Sequence, residues 1–237
     1  MSPLKHLLLL GCLSICNVTL ATDLSLQLDG GWDSQYISQG RDNLEQGGIY
    51  WGSATLQTGN INSYVVVGRG DQQDYTEWNI GLEYAIALAE NLEANLGYQR
   101  IEIYGTERCY DNEWFAELAY TAEPWLIPSI NYTYSTEAAG YFIEMSLHSF
   151  WDITDVFSLT PYVTQGLDFR YATQAHDGRN HLQLGLEMNY QISPSFALAG
   201  HISHVIAQSD ITLESEQENN QASLDQTYAG VHINWQF

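Results

Sequence analysis

The segment from Tyr228 to Phe237 alternates apolar and polar side chains with a period of two and stops on an aromatic residue. Ala229, Val231, Ile233, Trp235 and Phe237 share one face, and Gly230, His232, Asn234 and Gln236 share the other. A pleated strand between hydrocarbon and water needs this division, because successive side chains point to opposite faces. The pattern predicts a lipid-facing strand that closes a barrel, provided the rest of the chain repeats it.

The first residues read as an export signal. Met1 to Ala21 carries one cation, Lys5, then the apolar run Leu7-Leu8-Leu9-Leu10 continued through Cys12, Leu13, Ile15 and Cys16. Small and polar residues precede Ala21, which predicts a signal peptide over 1–21, cleavage after Ala21 and Thr22 as the mature start. The run is too short for a spanning helix, which needs about 20 apolar residues. A lipoprotein reading of Leu9-Leu10-Gly11-Cys12 would leave only four leucines as the apolar core.

Composition narrows the function classes. Cys12 and Cys16 leave with the signal, so the mature chain keeps only Cys109 and has no intramolecular disulfide. Its cations are then the six arginines Arg41, Arg69, Arg100, Arg108, Arg170 and Arg179, against 29 acidic residues, and the formal charge moves from -22 to -23. Nucleic acid is excluded as a partner, because its binding rests on a cationic surface. The 16 Tyr, seven Trp and seven Phe suit strands and interfacial girdles. A mean hydropathy of -0.22 is compatible with insertion, because a barrel needs apolar residues only at alternate positions.

Twelve strand-like segments follow: 24–39, 47–57, 61–70, 76–88, 92–104, 113–122, 126–135, 141–150, 156–171, 181–192, 196–207 and 224–237. In the fourth, Trp78, Ile80, Leu82, Tyr84, Ile86 and Leu88 oppose Glu77, Asn79, Gly81 and Glu83. In the tenth, Leu182, Leu184, Leu186, Met188, Tyr190 and Ile192 oppose Gln183, Gly185, Glu187, Asn189 and Gln191. Two phases stay open. Ile49 and Trp51 compete with Tyr50 and Ala54 for the outside of the second strand, and Ile101 and Ile103 break the phase of Leu92, Ala94, Leu96 and Tyr98, which predicts a bulge or an early exit from the membrane.

Connection lengths alternate. Short turns at 58–60, 89–91, 123–125, 152–155 and 193–195 face longer loops at 40–46, 71–75, 105–112, 136–140, 172–180 and 208–223. Bacterial barrels have short periplasmic turns and long outer loops, so both termini are expected in the periplasm. The fold class expected is an all-β transmembrane antiparallel up-and-down β-barrel of about 12 strands. Residues 22–237 would form one barrel domain in the bacterial outer membrane, with no separate plug domain.

With this architecture and the motif Tyr36-Ile37-Ser38-Gln39-Gly40-Arg41 in the first hairpin, the chain resembles the proteobacterial outer-membrane proteins of the TorF porin type. Members carry Arg before the Gly of that hairpin, whereas here Gln39 precedes Gly40 and Arg41 follows it. The resemblance implies a channel by analogy of fold.

With the apolar sets outward, the inward sets collect Asp29, Asp33, Glu77, Glu83, Glu93, Glu117, Glu144, Asp168 and Glu187, with Arg170 as cation and Arg69 and Arg100 as further candidates. The selectivity candidates are Glu77, Glu83, Glu117, Glu144, Asp168, Arg170 and Glu187. Such a lumen would favour cations in a passive channel for small solutes. The other reading is a closed, filled barrel with a structural, adhesive or interaction role.

The acidic sixth loop, with Asp210, Glu214, Glu216, Glu218 and Asp225, suits either a solvated surface or divalent ions bridging to lipopolysaccharide phosphates. Its spacing fits no ion loop, and no metal or cofactor is assigned. His201 and Ser203 share a strand face and resemble the His-x-Ser pair of outer-membrane lipid A deacylases, but nothing marks an oxyanion hole. No catalytic residue is therefore assigned. The remaining histidines, His148, His176, His181 and His232, are scattered over separate segments. The partners expected are outer-membrane lipid and lipopolysaccharide, small solutes, and the barrel-assembly machinery through the strand ending at Phe237.

Overall fold

The computed structural model describes residues 24–44, 46–105, 108–174, 176–217 and 224–237. The expected signal peptide and mature start lie outside them. Fifteen strands run in chain order as β1 (Leu24–Asp33), β2 (Ile37–Ser38), β3 (Arg41–Asp42), β4 (Ile49–Thr58), β5 (Ile61–Gly70), β6 (Thr76–Ala89), β7 (Leu92–Tyr104), β8 (Cys109–Tyr120), β9 (Ile127–Ser135), β10 (Gly140–His148), β11 (Trp151–Thr154), β12 (Phe157–Phe169), β13 (Asp177–Ser193), β14 (Phe196–Ala207) and β15 (Gln226–Gln236), with a helix α1 (Ser209–Gln217) before the last.

One antiparallel sheet runs β10-β9-β8-β7-β6-β5-β4-β1-β15-β14-β13-β12-β11, and β10 also pairs with β12. Because β11 prolongs the path of β10 along β12, twelve strands form a closed cylinder. Closure through β1 and β15, with Gln27 opposite Gln236 and Asp33 opposite Gly230, removes the open edges that would otherwise recruit other strands.

The exterior is what alternation predicts. On β6, Ile80, Leu82, Tyr84 and Leu88 are half exposed, while Glu77 and Glu83 are 4% and 3% exposed. On β15, Val231, Ile233 and Trp235 point out and His232 and Asn234 in. An apolar belt of this extent suits hydrocarbon, and the ladder satisfies the backbone polar groups that lipid cannot. Among the described residues no helix is long and apolar enough to cross a membrane.

Several expectations are corrected. The first strand ends at Asp33 and not at Gln39; the following residues turn back and make the β2–β3 hairpin, which lines the lumen. The sixth loop is not simply a solvated acidic segment, because α1 occupies its start with Asp210 fully buried and Ile211 5% exposed. No bulge occurs at Ile101 and Ile103: β7 keeps one phase against β8 throughout and turns both isoleucines inward, so that the ion-paired Arg100 and Glu102 take the outward positions. Ile103 meets a cluster of Leu44, Ile49, Trp51 and Tyr75 with Tyr36 and Val66, an apolar patch created by the folded-in first loop. The same cluster settles the phase of β4, with Ile49 and Trp51 inside and Tyr50 56% exposed.

Candidate functional site

The lumen is a cavity of about 790 Å3 bounded by all the long strands and by the first loop. Ten of its lining residues carry carboxyl groups: Asp29, Asp33, Glu77, Glu83, Asp111, Glu113, Glu117, Glu137, Glu144 and Glu187. Among the described residues no Lys or Arg lines it.

Register builds this surface from strand to strand. Asn95, Glu117, Asn131 and Glu144 stand opposite one another on β7, β8, β9 and β10, a row that alternates amide and carboxylate around the wall. Adjacent strands are about 4.8 Å apart, so the backbone positions of the two glutamates are about 10 Å from each other. Asn95 donates to Glu117 at 3.4 Å, and Asn62 donates to Glu83 at 2.9 Å. Gln99 donates to Glu113 at 2.6 Å, and the Tyr171 hydroxyl donates to the same carboxylate.

The first loop narrows the cavity. The Tyr36 hydroxyl donates to the two carboxylate oxygens of Glu77 at 3.0 and 2.9 Å, and Tyr75 and Asn79 also donate to Glu77. Burial, and then the adjacent Glu77 charge, hold the Tyr36 phenol protonated well above its ordinary range, which keeps it a donor. Its ring packs edge-on against Trp51, with centroids 5.1 Å apart. At the loop's far side Arg41 donates from Nε to Glu214 at 2.7 Å and from Nη2 to Asp210 at 3.2 Å and Thr173 at 2.6 Å. Asp210 and Glu214 lie one turn apart on α1, so both reach the same guanidinium.

Of the selectivity candidates, Glu77, Glu83, Glu117, Glu144 and Glu187 line the cavity. Asp168 does not: it is fully buried at the end of β12, where its carboxylate accepts from the N–H groups of Tyr171, Ala172 and Thr173. Arg170 is corrected from a lumen cation to an exposed residue just past β12, where a left-handed φ of 61° breaks the alternation that had placed it inside. The further cations are also outside the lumen lining: Arg100 pairs with Glu102 at 2.8 Å and lies over the Tyr110 ring, and Arg69 pairs with Asp74 at 3.0 Å.

His201 and Ser203 both point inward, but Ser203 shares a 2.8 Å hydrogen bond with the Tyr162 hydroxyl, and the His201 ring instead approaches Asp33. The nucleophile and base geometry of a deacylase is not assembled. Asp33, His201 and His232, which no sequence motif unites, converge on one spot of the wall. Cys109, expected in the third loop, begins β8 and lines the lumen.

No protein-family model and no curated protein sequence matches the chain. Among solved structures it is similar to the KdgM porin in complex with disordered oligogalacturonate, at 7% identity and a TM-score of 0.60, over 90% of this chain and 99% of that one. It is also similar to the NanC porin, at 13% identity and a TM-score of 0.56, over 89% and 98% of the two chains. At such identities the likeness is one of fold, and the fold is the twelve-stranded barrel of outer-membrane porins.

Proposed function

We propose that the chain is a passive outer-membrane channel that favours cations and small cationic or neutral solutes, with both termini in the periplasm. The observation that carries this reading is the lumen lining, ten carboxyl side chains with no Lys or Arg among the described residues. In a narrow cavity with low-dielectric walls such groups act at close range on a permeating ion. The KdgM complex contains oligogalacturonate, a polyanion; the acidic lining here would repel such a ligand, so the shared fold would serve a different solute charge. The first-hairpin motif supports a TorF-like porin as the subtype. Lipopolysaccharide around the belt and the assembly machinery at the closing strand are the partners this reading requires.

A second reading follows from the folded-in first loop: a barrel that conducts little and presents its acidic outer loops to other molecules. Purified protein in a planar bilayer separates the two. Stepwise conductance is the result expected of a channel, and a silent bilayer at every voltage would reject it.

A further inference from the structure

We propose that Asp33, His201 and His232 form a binding site for a divalent transition-metal ion, of the zinc class, in the lumen wall. The three residues come from β1, β14 and β15, which are neighbours only because β15 closes the barrel between the other two. One donor atom from each lies within 4.8 Å of the others, and the side chains are buried. Asp33 Oδ1 is 3.1 Å from His232 Nε2 and 3.5 Å from His201 Nε2. A tetrahedral ion with bonds of about 2.0–2.1 Å holds its ligands about 3.3–3.4 Å apart, so the two separations from Asp33 are close to the edges of such a site, and the third donor pair lies within 4.8 Å.

The surrounding atoms fit the same purpose. His201 is 8% exposed, and its Nε2 has no hydrogen-bond partner although it points at Asp33. A buried polar atom left in this state calls for a ligand. His232 Nδ1 is 3.1 Å from Asp29 Oδ1, the carboxylate–histidine support that orients a metal-binding imidazole and raises its basicity. The Trp51 indole N–H donates to Asp33 Oδ2 at 2.9 Å and fixes that carboxylate, while Oδ1 meets His232 Nε2 at 3.1 Å, a contact that an ion would replace. Two glycines make the space. A Cβ on Gly230, which stands opposite both Asp33 and His201, would come within 1.8 Å of Asp33 Oδ1, and one on Gly31 would come within 2.3 Å of the His232 ring.

Two imidazoles and a carboxylate favour zinc, nickel or copper over calcium and magnesium, which take oxygen ligands. The three residues line the lumen, so a fourth coordination position would face the solute path. The site is independent of whether the barrel conducts.

The test uses full-length folded protein in detergent, stripped with chelator and titrated with zinc chloride by calorimetry, with bound metal counted by elemental analysis after desalting. One zinc per chain is expected. His201→Ala should weaken binding at least tenfold, and Asp29→Asn, which touches only the supporting carboxylate, by about 10–100-fold. Retained β circular dichroism and heat-dependent gel mobility certify the fold of each variant, and Gly230→Ala provides a second block that removes no ligand residue but forces the Asp33 carboxylate and the His201 ring from their positions. No stoichiometric zinc in the wild type would overturn the proposal. So would zinc binding that is equal in the wild type, His201→Ala and Gly230→Ala, since the ion would then sit elsewhere, as on the acidic outer loops.

Discussion

The Tyr36 hydroxyl, on the first loop inside the barrel, donates to both carboxylate oxygens of Glu77 on β6, at 3.0 and 2.9 Å. This contact, with the Tyr36 ring against Trp51, holds the first loop inside the barrel and not above it. Tyr36→Ala removes both the ring and the donor, so single-channel conductance is expected to rise at least twofold as the loop leaves the path. Tyr36→Phe keeps the packing and should give a smaller rise.

The same loop is held from its other side by Arg41. Arg41→Gln leaves Asp210, which is fully buried, with Asn180 and Thr173 but no cation. An acceptor stripped of a charged partner costs about 1–3 kcal/mol. Amide exchange over α1 and residues 36–43 should therefore speed up by about 5-fold to 100-fold in the variant, by the usual 1.4 kcal/mol per factor of ten, while exchange in β6 and β13 stays unchanged.

The exterior makes a separate prediction. Leu82 is 53% exposed near the middle of β6, in the apolar belt. Leu82→Arg is expected to destabilise the barrel in liposomes by about 2–4 kcal/mol, the penalty for a cation at mid-bilayer depth. Equal stability of Leu82→Arg and wild type in denaturant titrations would contradict the lipid-facing assignment.

The strands were legible because a wall between lipid and water imposes period two on every crossing, so residues such as Trp78 to Leu88 carry the signal locally. Residues 34–44 were not legible as an inserted loop. Their apolar members, Tyr36 and Leu44, pack on the inside of the barrel against Ile49, Trp51 and Ile103, and the sequence rule that inward means polar fails wherever a loop fills the lumen. That also explains why Ile101 and Ile103 looked out of phase. Helix α1 was hidden because its fixing contacts, Asp210 and Glu214 on Arg41, come from a residue about 170 positions away. The acidic character of the lumen could be read from phase alone, but the meeting of Asp33 with His201 and His232 could not, since it depends on which strand closes the barrel against which.

The proposed cation preference would be set in part by the Asn95–Glu117–Asn131–Glu144 row. Replacing Glu117 and Glu144 together by Gln removes two of the ten lining carboxyl groups and keeps their shape. The potassium-to-chloride permeability ratio should fall at least twofold, with conductance in symmetrical high salt little changed, since salt screens the fixed charge.

The most direct measurement is the zero-current potential of wild-type protein in a planar bilayer across a tenfold potassium chloride gradient at low ionic strength. A potential of the sign set by potassium, shrinking as salt is raised on both sides, is the expected result. A potential near zero, or one of the sign set by chloride, would contradict an acidic, cation-favouring lumen.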